Sequence, residues 1–161
     1  TISTSGIVSG ILDIANNGPQ VRLAISLTSA LDSVRSRLMP VNERWNLKEL
    51  KEALLEYQNK TGERLTLEVP IMAGENSGQE AVSAIASFAE GLKVQINVIA
   101  WNHIPGFPFR EPSGEEVQNF VTGLQKAGIA ASRRMRRGKG INGACGQLGE
   151  TLRSIPLASS T

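Results

Sequence analysis

The stretch RLTLEVPIMAGENSGQEAVSAIASFAEGLKVQINVIAW, residues 64–101, reads as one strand–helix–strand unit and decides the fold. Arg64 to Met72 is strand-like, with Pro70 expected to demote its far end or to mark a bulge. Ser77-Gly-Gln-Glu80 has the form of a capping box, and Ala81, Ile85, Phe88, Ala89 and Leu92 make the buried face of the helix behind it. Val94 to Trp101 is a second strand. Two strands joined by a helix of this length imply a parallel pair with a right-handed crossover.

The same alternation runs outward in both directions. Upstream, Ile2 to Ser5 reads as a strand end and Gly6 as a turn. Ile7 to Ala15 is a helix stopped by Asn16-Asn17-Gly18-Pro19, and Val21 to Leu27 is a short apolar strand. Ala30 to Leu38 has Leu31, Val34, Arg35 and Leu38 at helical spacing and stops before Pro40. Asn46 to Lys60 carries the stripe Leu47, Leu50, Leu54 and Tyr57, with Gly62 after its end. Downstream, a loop with Pro105, Gly106, Pro108 and Pro112 leads to a second capping box, Ser113-Gly-Glu-Glu116. Val117, Phe120, Val121 and Leu124 follow, then Gly128, and Ile129 to Met135 forms a last short strand. About five strands alternating with helices predict an α/β fold with a mainly parallel sheet, too few strands for a closed eight-stranded barrel.

Composition fits one globular domain over residues 1–161, at 40% hydrophobic and 20% charged residues. Net charge is only +2, but five of the seventeen basic residues fall between positions 133 and 139. The single cysteine, Cys145, excludes an internal disulfide and fits a reducing, cytoplasmic setting. No apolar run is long enough to span a bilayer, and Thr1 to Gly6 has neither the basic region nor the apolar run of a signal peptide. A chain that begins within a strand reads as a piece of something longer.

Chemistry is expected where parallel strands end, because ligands bind outside their C-termini. The segments that fall there are Ser3-Thr4-Ser5-Gly6, Ser26-Leu27-Thr28, Met72-Ala73-Gly74 and Trp101-Asn102-His103. Their hydroxyls, amide and backbone suit a polar, zwitterionic small molecule, although Ser, Thr and Asn individually serve turns and caps more often. One cysteine and one histidine, Cys145 and His103, cannot supply a four-ligand metal site. Gly138-Lys-Gly140-Ile-Asn-Gly143 matches a dinucleotide fingerprint by chance, since no full βαβ unit follows it.

Cys145 lies in Gly143-Ala-Cys-Gly-Gln-Leu148, among small residues that let a ligand approach the sulfur. A lone cysteine is more often an inert small hydrophobe than a nucleophile. Here Arg133, Arg134, Arg136, Arg137 and Lys139 precede it, and a cationic neighbourhood raises the thiolate fraction. The same cluster suits phosphate contacts to RNA, against the plainer reading of a solvated face.

Ser3-Thr-Ser-Gly6, Ala24-Ile-Ser-Leu27, Met39-Pro-Val-Asn42, Ile96-Asn97 through Trp101-Asn102 to Pro105-Gly106, and Ala144-Cys-Gly-Gln-Leu148 stand in the order and spacing of the RlmN/Cfr family. The chain resembles these radical S-adenosylmethionine (SAM) methyltransferases of 23S rRNA over about positions 1 to 152. The resemblance implies the C-terminal part of a partial (βα) TIM-like barrel. It implies SAM binding by Ser3, Ser26, Leu27, Thr28 and Asn102, RNA contact by the basic run, and a 4Fe–4S cluster in the full-length parent. It also implies that Cys145 is the cysteine that is methylated and then donates its carbon to adenine, at C2 or C8, in 23S rRNA, with tRNA as a second substrate.

Several features of the family are not in this chain: the CxxxCxxC cluster motif, the Gly-Glu-Pro segment that holds the SAM amino group, and the resolving cysteine. Thr28 replaces the family's usual His or Asn, Ala100 and His103 replace prolines, and Glu75-Asn76-Ser77 departs from Val-Asn-Asp. The expectation is therefore a C-terminal fragment, inactive alone, with an exposed sheet edge prone to self-association and no membrane partner. The alternatives are a non-catalytic basic α/β module that binds RNA, and a radical SAM relative with another substrate.

Overall fold

The computed structural model describes residues 1–104 and 106–134. Cys145, Arg136, Arg137, Lys139 and the Gly138–Gly143 run lie outside the described residues.

The described strands are β1 (Ile2–Thr4), β2 (Leu23–Ser26), β3 (Leu65–Ile71), β4 (Val94–Ala100) and β5 (Ala131–Arg133). All pair in parallel, in the order β1-β2-β3-β4-β5. The helices between them are α1 (Val8–Asn17), α2 (Asp32–Leu38), α3 (Val41–Arg44), α4 (Leu47–Thr61), α5 (Gln79–Ala89) and α6 (Gly114–Lys126). Strictly sequential parallel order is that of a βα barrel wall. A doubly wound sheet would reverse direction at a switch point. With this order, crossovers of one hand, right-handed by the general rule for parallel strands, put the helices on one face.

The burial pattern of the strands follows from this. Leu65, Leu67, Val69 and Ile71 of β3 are buried, as are Val94, Ile96, Val98 and Ala100 of β4, and both strands alternate with half-buried residues. The buried set joins Leu50, Leu54 and Tyr57 of α4, Ile85 and Phe88 of α5, and Val117, Phe120 and Leu124 of α6 in one core. Period-two alternation in parallel strands means that described helices cover only one face. The other face is polar. Ser26, Glu68, Asn97 and Ser132 stand in register across four strands. Asn97 Nδ2 donates to Glu68 Oε1 at 3.0 Å, and Ser132 Oγ to Asn97 Oδ1 at 3.4 Å.

The structure corrects four local expectations. Pro70 neither ends β3 nor bulges it, since Pro70 pairs with Ile99 and Ile71 with Ala100. The pairing of β3 with β2 ends at Glu68, so the missing N–H of Pro70 faces a side with no strand left to bond. The Ser77 capping box does not form: the N-cap of α5 falls one residue later, at Gly78, and Ser77 Oγ instead accepts from the Gly74 N–H at 3.2 Å. Helix α1 runs on through Asn16 and Asn17 to Gly18, with Asn16 Nδ2 donating to the Leu12 carbonyl and Asn17 Nδ2 to Asp13 Oδ1. The short helix α3 was not expected at all. The Ser113–Glu116 capping box is present in full.

Candidate functional site

The C-terminal ends of β1, β2, β3 and β4 lie side by side, which brings together the four expected segments. Ser3, paired with Ala24, and Ser26, paired with Glu68, project on the polar face. Ser3 is exposed, and Ser26 and Asn102 are half-buried. The loop after β4 is tied back across this edge by the Ala73 N–H, which donates to the Arg110 carbonyl at 3.0 Å. Trp101, Phe107 and Phe109 form an aromatic cluster in that loop, with Trp101 edge-on to Phe109 at 5.8 Å.

Leu27 and Thr28 are placed differently from the serines. Leu27 is wholly buried, donates its N–H to the Glu68 carbonyl and offers its own carbonyl to Arg35 Nε at 3.1 Å. Thr28 is the one non-glycine at positive φ among the described residues, at 63°, and is also buried. Its N–H reaches the Glu68 carbonyl at 3.4 Å, and its carbonyl takes Asn76 Nδ2 at 2.8 Å. A β-branched residue in the left-handed region stores strain that surrounding contacts must hold.

Arg35 is fully buried and inserts its guanidinium between the ends of β1 and β2. Nε donates to the Leu27 carbonyl, Nη2 to the Ser5 carbonyl at 2.8 Å, and Nη1 to Asn42 Oδ1 at 2.7 Å. Asn42, on α3, is held in turn by donating to Asp32 Oδ1 and Ser36 Oγ. Burial pushes the Arg35 guanidinium below its usual pKa, and Asp32 partly restores it. Asn76 does the same service one strand along: Nδ2 reaches both the Thr28 and Pro70 carbonyls, and Oδ1 accepts the Met72 N–H at 2.8 Å.

The basic run is described only in part. Arg133 and Arg134 are exposed, and Arg134 Nη1 stands 3.6 Å from Glu68 Oε2 on the polar face. Sequence reasoning gave no role at the site to Glu68, Asn97, Arg35 or Asn76. The alternation of Thr66, Glu68, Gln95 and Asn97 between apolar residues carried the signal for the first two. A charged residue on the apolar stripe of a helix carried it for Arg35.

The polar edge fits SAM in the chemistry of its donor set: hydroxyls at Ser3 and Ser26, an amide at Asn102 and backbone at the strand ends. A 4Fe–4S cluster does not fit the described residues, which contain no group of three or more His, Cys, Asp or Glu able to hold a metal. No described helix is long and apolar enough to cross a membrane.

No protein-family model matches the chain. It is 48% identical over 151 residues to a protein of Treponema denticola named "Probable dual-specificity RNA methyltransferase RlmN", which covers 94% of the chain and 44% of that protein. A protein of the same name from Staphylococcus aureus is 39% identical over 148 residues, 92% of the chain and 41% of that protein. The crystal structure of a radical SAM methyltransferase from Sphaerobacter thermophilus superimposes with a TM-score of 0.86 at 39% identity, covering 90% of the chain and 42% of that structure. The chain thus spans less than half the length of these relatives. Together they show the resemblance to the RlmN/Cfr family that the motifs carry.

Proposed function

We propose that this chain, kin to proteins named RlmN over 94% of its length, is the C-terminal portion of a radical SAM barrel whose parent methylates an adenine carbon of RNA. The observation that carries the reading is the sequential parallel sheet with the Ser3, Ser26 and Asn102 segments aligned at its C-terminal edge, at 39% identity to a radical SAM methyltransferase of the same fold. The substrate is 23S rRNA, with tRNA as the second target, in the cytoplasm. The fragment alone is inactive.

Bound SAM supplies the methyl group that reaches RNA. In this reading Ser3, Ser26, Thr28 and Asn102 hold it at the strand ends, with Leu27 packed behind. The 4Fe–4S ligands lie in the remainder of the parent. Cys145 serves as the nucleophile and carrier of the methyl carbon. Neighbouring Arg133, Arg134, Arg136, Arg137 and Lys139 favour its thiolate and neutralise RNA phosphates.

The test is Cys145→Ala in the whole parent protein. Methyl transfer to RNA should vanish while reductive cleavage of SAM persists. Methylation at the normal rate would show that the sulfur carries no carbon, and Cys145 would then be a small packing residue. A parent that cleaves no SAM even with its native cysteine would overturn the enzyme reading in favour of a non-catalytic RNA-binding module.

A further inference from the structure

The reactive edge of this sheet is shaped by two buried side chains that do not point into it. We propose that Arg35 and Asn76 are positioning residues that hold the ends of β1, β2 and β3 in the one backbone conformation that receives SAM. The proposal rests on the reading of this edge as the SAM site.

Three observations carry it. First, both side chains are spent on backbone carbonyls at the strand ends. Arg35 bonds Ser5 and Leu27, and Asn76 bonds Thr28 and Pro70. Each therefore joins two adjacent strands just past the point where strand pairing stops. Second, the segments they hold are those that bring Ser3, Ser26 and Thr28 to the edge. Third, the held conformation is strained: Thr28 sits at φ 63° with a β-branched side chain. A strained turn persists only where its surroundings over-determine it. Core packing alone does not need this, because the apolar stripe behind β2 is complete with Leu23, Ile25 and Leu27. A buried cation with three hydrogen bonds, backed by Asn42 and Asp32, is a costly device for fixing two loops. Its effect is to make the ligand edge rigid before the ligand arrives, which lowers the ordering cost of binding.

The experiment compares KM for SAM and KM for RNA in the whole parent protein, native and with Arg35→Lys, Asn76→Ala and Tyr57→Phe. Tyr57 hydroxyl donates to the Val21 carbonyl before β2, at the opposite end of the sheet, and serves as the structural control. Arg35→Lys and Asn76→Ala should each raise KM for SAM by about tenfold or more, with KM for RNA unchanged. Tyr57→Phe should lower the melting temperature and leave both constants alone. Thr28→Asn, which tolerates the left-handed region, should shrink the effect of Asn76→Ala when the two are combined. If Arg35→Lys and Asn76→Ala lower only the melting temperature and the amount of active enzyme, as Tyr57→Phe does, the positioning role is overturned. If Asn76→Ala alone fails to fold, the Thr28→Asn background and Arg35→Lys decide. A native parent that binds no SAM at all overturns the site reading itself, a result distinct from a native protein that binds SAM and variants that bind it equally well.

Discussion

Gly6 and Arg35 are fitted to each other: a Cβ on Gly6 would lie 2.9 Å from Arg35 Nη2 and 3.3 Å from Leu50 Cδ2. The glycine is required twice, once for its φ of 101° and once for the guanidinium that crosses behind it. Gly6→Ala should therefore destabilise the fold by about 1–3 kcal/mol from backbone strain, with any displacement of Arg35 adding to it. Urea unfolding of the two proteins measures the difference. Gly74→Ala, with nothing within 4 Å of its added Cβ, isolates the cost of positive φ by itself.

The N-terminus of α6 should make stability sensitive to acid. Hydrogen bonding from Arg110, then from the Ser113 backbone, lowers the Glu116 carboxyl from an ordinary 4.5 to about 2. A carboxyl depressed in the folded state contributes stability above its unfolded pKa and loses it as pH falls toward its folded one. The contribution should be complete at neutral pH and disappear between 4.5 and about 2. Thermal melts of Glu116→Gln and the native chain should differ at pH 7 and converge near the bottom of that window. Parallel curves throughout would mean that the carboxylate contributes nothing through its charge.

Among the described strands β1 pairs only with β2, and Ile2 is 38% exposed on this edge. An unpaired edge of this kind recruits another chain. The isolated 161-residue chain should associate in sedimentation runs as concentration rises, and Ile2→Lys should suppress it. A native chain that stays monomeric at every concentration would count against edge pairing.

Replacing Arg133, Arg134, Arg136 and Arg137 by Ala in the parent should weaken RNA binding and flatten its salt dependence. Each lost phosphate contact lowers the slope of log K against log salt by about 0.7–0.9. Arg134 stands 3.6 Å from the Glu68 carboxylate, so its share should be smaller than that of Arg133. Equal slopes for native and fourfold variant would assign the run to a solvated face.

Period and punctuation in the sequence determined that strands and helices alternate, and hence that the sheet is parallel and its C-terminal edge carries Ser3, Ser26 and Asn102. The stripes Leu50–Leu54–Tyr57 and Val117–Phe120–Leu124 were legible because burial on one helix face imposes a 3.6-residue period. The motifs around Met39–Asn42 and Trp101–Asn102 were legible as a family resemblance. Tertiary structure alone decided the strand order, since local propensity does not record which strand lies beside which. It also decided where side chains act through partners distant in sequence. Ser77 lost its capping role because the Gly74 turn claimed its hydroxyl, and Pro70 could stay within β3 because β2 had already ended there. Arg35 reads as one more member of a helical stripe until the ends of β1 and β2 close around it. Hydrogen bonds such as Arg35–Ser5 and Asn76–Thr28, which span 30 and 48 residues, exist only once the sheet has assembled.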